Sequence, residues 1–207
     1  MKIEQLIENL GVNEHLNESL QLITDIIIDT PVSFEERIAE IIAIPEKIFN
    51  TNRFASLLSD LPSERYIQPL ILEVSKSIPG KTPWLSDYMY ALSNLLDELD
   101  KVYVPETDFV DLLGHWLFNT GGGEISWKSA MILSSLDHPQ TVKYCKPALI
   151  STDLFHQTRI ACLKSVVNSC GIAELELYQS LLEDPEKEVR EAAQNAMNWL
   201  NRIHSDQ

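Results

Sequence analysis

The sequence predicts an all-α fold, and three observations support this prediction. Apolar residues recur at three- and four-residue spacing through almost the whole chain, as in Ile3, Leu6 and Leu10, which is the spacing of one helix face. Pro and Gly punctuate the chain at short intervals, and the segments between them have the length of helices. Seven glycines and ten prolines are few for an all-β protein, in which turns recur roughly every 8–12 residues.

The helices are expected between successive turn signals. The first helix ends at Gly11, which has the position of a C-cap glycine, and Leu16, Leu20 and Ile23 continue the spacing in the next one. The later turn signals are Asp29–Pro31, Asp60–Pro62, Ile78–Gly80, Val104–Pro105, Gly121–Gly123, Asp137–Pro139 and Asp184–Pro185. We therefore expect about ten to twelve helices of roughly 10–18 residues and no strand.

Four kinds of position recur at one interval in the second half of the chain. Basic residues are followed at fixed offsets by small residues and are preceded by acidic ones. The positions, 31 residues apart, are Lys128, Arg159 and Arg190; Ala130, Ala161 and Ala192; Ser134, Ser165 and Ala196; and Asp153 and Asp184. A fixed period of roughly 20–50 residues is typical of stacked supersecondary units. The sequence therefore predicts stacked helical units.

Small side chains mark the helix face on which these units are expected to stack. Ala192 and Ala196 are four residues apart, so they lie on one face of a helix. Small residues there let a neighbouring helix approach closely. We therefore interpret Ala192 and Ala193 as packing residues.

The last unit carries the repeated motif in its clearest form. Its parts are Leu181-Leu182, Asp184-Pro185, Val189-Arg190 and Ala192-Ala193. This succession resembles the second-helix signature of the HEAT repeat, the two-helix unit of α-solenoids. The resemblance implies a right-handed α-solenoid of HEAT-like helical hairpins, whose second helices line a concave surface. It also implies structural roles, because Asp and Arg tie adjacent loops together in such folds; the residues concerned are Asp153, Arg159, Asp184 and Arg190.

The resemblance covers the chain unevenly. We expect a single α-solenoid domain over residues 1–207, with the clearest HEAT-like repeats over residues 115–204. In the unit at residues 121–136, Gly122 replaces the Asp and Lys128 stands for the Arg. Residues 1–110 are either degenerate repeats or an N-terminal cap, and the sequence leaves both alternatives open.

The charge balance narrows the classes of partner. With 16 basic and 31 acidic residues, the chain has a net charge of −15. Nucleic acids and anionic membranes are bound through Lys and Arg, so neither is an expected partner, whereas a basic protein is. The acidic excess is uneven, since residues 1–110 hold 19 acidic and 8 basic residues while residues 111–207 hold 12 and 8.

Cysteine usage and apolar runs bear on the location of the protein. Cys145, Cys162 and Cys170 are too few and too irregularly spaced for a disulfide framework. The start, MKIEQLIENL, lacks the continuous apolar core of a signal peptide. No run approaches the roughly 18 apolar residues of a membrane span. We therefore expect a reducing, cytoplasmic setting.

The sequence contains no recognisable motif for catalysis or for binding a metal or a cofactor. The five histidines never occur as HxxxH or HExxH, and no cysteine pair has CxxC spacing, so no metal site is expected. Gly121–Gly123 is followed by Glu124 rather than by the Gly-Lys-Ser/Thr of a phosphate loop, and it is interpreted as an inter-helix loop. No GxSxG elbow is present. We expect a protein that is not an enzyme and needs no cofactor.

These features favour a non-catalytic protein-binding module. The most concrete hypothesis is an immunity protein that binds and neutralises a basic bacterial toxin domain, for instance a nuclease. Nucleases are often basic because their substrate is phosphate, and an acidic inhibitor associates with them quickly by steering. The alternative is a HEAT-like scaffold or assembly factor that docks a client protein. A HEAT-like lyase or glycosylase is a weaker hypothesis, since a net charge of −15 opposes binding to DNA.

Charged and aromatic residues beside the second helices are the candidate contacts for a partner. Carboxylates steer a basic partner, and Trp and Tyr supply contact area at interface hot spots. The predicted partner-binding residues are Asp97, Glu98, Asp100, Glu188, Glu191, Trp84 and Tyr88. For each aromatic residue, packing in the core is the competing interpretation.

Overall fold

The computed structural model describes residues 34–48, 50–99, 103–136 and 138–205. Over these ranges the chain consists of α-helices, short 3-10 helices and connecting turns, with no strand, so the predicted all-α class is confirmed. Residue contacts group the chain into two compact units, Met1–Lys101 (unit 1) and Val102–Gln207 (unit 2). The single domain over residues 1–207 stays a prediction.

The helices of each unit follow one another with short connections. In unit 1 the α-helices are α1 (Phe34–Ile42), α2 (Thr51–Asp60), α3 (Ile67–Lys76) and α4 (Leu85–Glu98). In unit 2 they are α5 (Thr107–Asn119), α6 (Glu124–Ser134), α7 (Gln140–Ile150), α8 (His156–Cys170), α9 (Leu175–Ser180) and α10 (Lys187–Ser205). Short 3-10 helices occupy Pro45–Lys47, Glu64–Tyr66, Gly171–Glu174 and Leu181–Glu183.

In the described ranges, helices of about the expected length are slightly fewer than expected. Within the described ranges nine α-helices have nine or more residues, and α9 has six, against the expected ten to twelve. The helices predicted around Ile3–Leu10 and from Leu16 to Ile23 lie outside the described residues. Every helix that the structure describes is too short or too polar to span a membrane.

Among the described helices of unit 1, α4 contributes the largest share of the buried apolar residues. It packs against α2 and α3, and α1 packs against α3 and against the 3-10 helix Glu64–Tyr66. Leu85, Tyr88 and Leu92 follow helical spacing along α4, and all three are buried, as one apolar face of a helix should be.

Helix α8 contacts α-helices before and after it in unit 2, and also the 3-10 helix Gly171–Glu174. It packs against α6, α7 and α10, while α5 packs against α6 and α7. Consecutive helices therefore contact each other in pairs, α5 with α6 and α7 with α8. The second members of these pairs also contact one another, because α8 touches both α6 and α10.

The small residues of the repeat are buried to different degrees. Ala130 on α6 and Ser165 on α8 are buried, as the stacking interpretation requires. Ala161 and Ala192 are only half-buried, and on α10 the fully buried alanine is Ala193. Successive residues point about 100° apart on a helix, so on α10 the face that packs most closely is turned by one residue from the predicted column.

This register predicts different effects for two adjacent alanines. Ala193→Leu should lower the free energy of unfolding by about 1–3 kcal/mol, because extra side-chain volume at a fully packed position forces its neighbours to move. Ala192→Leu should have a smaller effect, since part of the new side chain can extend into solvent. Urea denaturation of both variants measures the difference. Equal losses, or a larger loss at Ala192, would contradict the register.

Candidate functional site

A buried ion pair joins α8 to the turn before α10. The side chain of Arg159 is 1% exposed. Its Nε donates a hydrogen bond to the carbonyl oxygen of Leu149 (2.9 Å), and its Nη1 donates to Oδ1 of Asp184 (3.0 Å). Its Nη2 donates to the second carboxylate oxygen of Asp184. Both oxygens of Asp184 are therefore held by one guanidinium in the two-point geometry that suits Arg and a carboxylate.

Two further contacts fix the turn that carries Asp184. Arg190 Nη1 donates to the carbonyl oxygens of Asp184 (2.6 Å) and Pro185 (2.9 Å). The backbone N–H of Glu186 donates to Oδ1 of Asp184 (3.0 Å). These contacts agree with the structural roles expected for Arg159, Asp184 and Arg190. Asp153, the corresponding residue one period earlier, has an exposed side chain.

The contacts around Asp184 change its acidity. Burial acts to raise the pKa of this carboxyl, but the hydrogen bonds from Arg159 and from the Glu186 N–H, with the charges of Arg159 and Arg190, lower it below the ordinary value of 3.8. Asp184 is therefore ionised at neutral pH, as an ion pair of this kind requires. A carboxylate held in this way is a structural anchor rather than a proton donor.

The acidic residues predicted to bind a partner are exposed where the structure describes them. Asp97 and Glu98 lie near the end of α4, in unit 1. Glu188 and Glu191 lie in the first turns of α10, in unit 2, and Glu191 forms an exposed ion pair with Lys187 (3.2 Å). Asp100 lies outside the described residues. Their role in binding stays a prediction.

One of the two aromatic candidates is placed differently from the prediction. Tyr88 is fully buried, its hydroxyl donates a hydrogen bond to the carbonyl oxygen of Ile42 (3.2 Å), and its ring lies 6.5 Å from that of Phe54. Burial also raises the pKa of its phenol. Tyr88 is thus a core residue whose side chain cannot contact a partner in this conformation, and the prediction for it is corrected. Trp84 is half-buried immediately before α4.

The cysteines of α7 and α8 face each other inside unit 2. Cys145 and Cys162 are both fully buried free thiols. The pKa of the Cys162 thiol is raised. The main cause is the hydrogen bond that Cys162 donates to Cys145, and the second is burial. A protonated, inaccessible thiol is a poor nucleophile, so Cys162 acts as a core residue.

One group of residues could hold a metal ion. His156 is the first residue of α8, and Glu186 and Glu188 flank the start of α10. One ligand atom from each of the three lies within 4.8 Å of the others. The short-spacing motifs of metal sites do not include this group, because His156 is 30 residues before Glu186 and 32 before Glu188. The 31-residue period is the feature of the sequence that indicates this proximity. His156 and Lys187 are one period apart and are the first residues of α8 and α10, so the starts of two stacked helices lie side by side.

No protein-family model, curated protein or solved structure matches the chain. The resemblance to HEAT repeats therefore rests on the sequence motif, such as Asp184-Pro185 and Val189-Arg190, and on the 31-residue interval.

Proposed function

We propose that this chain is a non-catalytic protein-binding module, a right-handed α-solenoid of HEAT-like hairpins. In its most concrete form it is an immunity protein that binds and neutralises a basic toxin domain such as a nuclease. The proposal rests mainly on the net charge of −15. A surface with this excess attracts a basic partner over a distance of about one Debye length, roughly 8–10 Å at ordinary salt.

The internal contacts of unit 2 engage several of its basic side chains. Arg159 is buried, and Arg190 donates to two backbone carbonyls. Lys128 is also buried, and its Nζ lies 2.7 Å from the exposed carboxylate of Glu124. Three of the basic side chains of this unit are thus committed to contacts within the fold, while Glu188 remains exposed.

The helix contacts of unit 2 support the solenoid. A stack of two-helix units needs contacts within each pair and between the second helices of successive pairs. In unit 2, α5 contacts α6, α7 contacts α8, and α8 contacts both α6 and α10. The 31-residue interval between Arg159 and Arg190 equals the interval between the first residues of α8 and α10, two of the helices in contact.

Charge reversal at the end of α4 tests the proposed binding. In the double variant Asp97→Lys/Glu98→Lys, we expect association with the toxin encoded beside the gene to slow by about tenfold or more at low salt, because steering depends on complementary charge. Stopped-flow or surface plasmon resonance at several salt concentrations measures the association rate, and protection of cells from the toxin measures neutralisation. Thermal unfolding establishes that the variant is folded.

A matched double variant separates a local contact from total charge. Glu40→Lys/Glu46→Lys also reverses two exposed acids of unit 1, and two reversals move the net charge from −15 to −11 in either case. Equal slowing in both variants would contradict the assignment of Asp97 and Glu98. Failure of the unaltered chain to bind or protect against any neighbouring toxin would contradict the immunity function. Binding to a client protein without neutralisation would support the scaffold alternative.

A further inference from the structure

Three potential metal ligands converge from two helices at one edge of unit 2. They are His156, half-buried at the start of α8, and the exposed Glu186 and Glu188 at the start of α10. One ligand atom of each lies within 4.8 Å of the other two. Acidic residues are common in the first turn of a helix, where they complement its dipole. That preference does not account for an imidazole from another helix, 30 residues earlier in the chain than Glu186.

The two segments that carry these side chains are held in place by the buried ion pair. Arg159 follows His156 by three residues on α8, and Asp184 precedes Glu186 by two. The guanidinium of Arg159 donates to both carboxylate oxygens of Asp184, and the N–H of Glu186 donates to one of them (3.0 Å). The backbones of α8 and of the turn before α10 are thus fixed at the point where the three ligands meet, as a preorganised site requires.

We propose that His156, Glu186 and Glu188 form a surface site for a divalent transition-metal ion, with Zn²⁺ as the ion of matching chemistry. Imidazole suits Zn²⁺ and its neighbours, whereas Ca²⁺ and Mg²⁺ prefer all-oxygen sites. In a tetrahedral zinc site, with Zn–N and Zn–O distances of about 2.0–2.2 Å, neighbouring ligand atoms lie about 3.4 Å apart. Rotation of the two exposed glutamate side chains can close a separation of 4.8 Å or less to that value, and water completes the coordination.

Electrostatics also favours a cation at this position. Glu186 and Glu188 bring two full negative charges close together, and a bound cation relieves their repulsion. The N-termini of α8 and α10 oppose it with about half a positive charge each. Arg190 and Lys187 add positive charge nearby, and that of Lys187 is paired with Glu191. The bound ion would connect the start of α8 to the start of α10 at the surface, beside the connection that Arg159 and Asp184 make in the interior. This site shares Glu188 with the predicted partner-binding residues, but its test by zinc binding does not require a protein partner.

Titration of the metal-free full chain with zinc chloride tests the proposal. We expect one Zn²⁺ to bind per chain by isothermal titration calorimetry and to raise the midpoint of thermal unfolding. His156→Ala should weaken binding by more than tenfold, because loss of even a supporting partner of a metal ligand lowers affinity roughly 10–100-fold. Glu188→Gln should weaken it in the same direction. Without metal, both variants should unfold at the temperature of the unaltered chain.

Two control variants identify binding at unrelated surface groups. His115→Ala removes an exposed histidine of α5, and Glu176→Gln removes an exposed carboxylate of α9 outside the group. Both should bind Zn²⁺ with unchanged affinity. Absence of a saturable site, unchanged affinity in His156→Ala, or equal weakening in His156→Ala and His115→Ala would mean adventitious surface binding only and would overturn the proposal.

Discussion

Replacement of Arg159 by methionine is expected to lower the free energy of unfolding by about 3–5 kcal/mol, the usual loss when one partner of a buried ion pair is removed. The variant leaves the Asp184 carboxylate, which is 6% exposed, without the two hydrogen bonds from Arg159 and with only the one from the N–H of Glu186. It also leaves the carbonyl of Leu149 without the hydrogen bond donated by Arg159. Equilibrium denaturation in urea at neutral pH measures the change.

A double-mutant cycle shows whether this loss belongs to the pair. Asp184→Asn removes the charge of the partner, so the loss caused by Arg159→Met should be smaller in an Asp184→Asn background than in the unaltered chain. Arg202→Met is the matched control, because Arg202 is exposed on α10 and its removal should change stability by no more than about 0.5 kcal/mol. Additive effects of the two substitutions would show that the pair is not coupled.

The pH dependence of the same variants gives an independent check. Because the pKa of Asp184 is lowered in the folded state, its ionised carboxylate stabilises the fold above the ordinary value of 3.8, and this contribution is lost as pH falls through the folded pKa. The difference in unfolding free energy between the unaltered chain and Arg159→Met should therefore shrink as the pH falls below 3.8. A difference that grew in acid would have the wrong sign for this ion pair.

The sequence indicates structural roles for both residues of this ion pair but not that they pair with each other. The interval between Arg159 and Arg190, with Asp184 six residues before the latter, marked all three as structural through the resemblance. It could not show that Asp184 would join Arg159 of the preceding helix, because that contact depends on how α8 and α10 pack. For the same reason the period gave the approximate position of the packed alanine but not whether Ala192 or Ala193 was fully buried.

The candidate partner site was harder to predict, because exposure depends on which helix face turns inward. Tyr88 was chosen as an aromatic residue close to acids in sequence. Its spacing from Leu85 and Leu92 places it on the buried face of α4, and that spacing was the available signal against the choice. Asp97 and Glu98 lie beyond this apolar stripe and are exposed, as a solvated helix end should be.

Replacement of Gly114 by alanine is expected to lower the free energy of unfolding by about 2–4 kcal/mol, although alanine is normally the better helix residue by about 1 kcal/mol. Gly114 lies in α5 where Tyr144 of α7 crosses it. An added Cβ would lie 2.6 Å from Cδ2 of Tyr144 and closer still to Cγ. The ring would have to move, which would disturb the hydrogen bond that the Tyr144 hydroxyl donates to Oδ1 of Asp111 (2.6 Å). Thermal or urea unfolding measures the loss.

Removal of the obstructing ring should reverse the sign of this effect. In a Tyr144→Ala background the same Gly114→Ala change should be neutral or stabilising, because only the helix preference then remains. Gly123→Ala is the matched control, since a Cβ at Gly123 meets no atom within 4 Å and its φ of −86° is accessible to any residue. A loss at Gly114 that persisted without the Tyr144 ring would show that the close approach of α5 and α7 at this ring is not its cause.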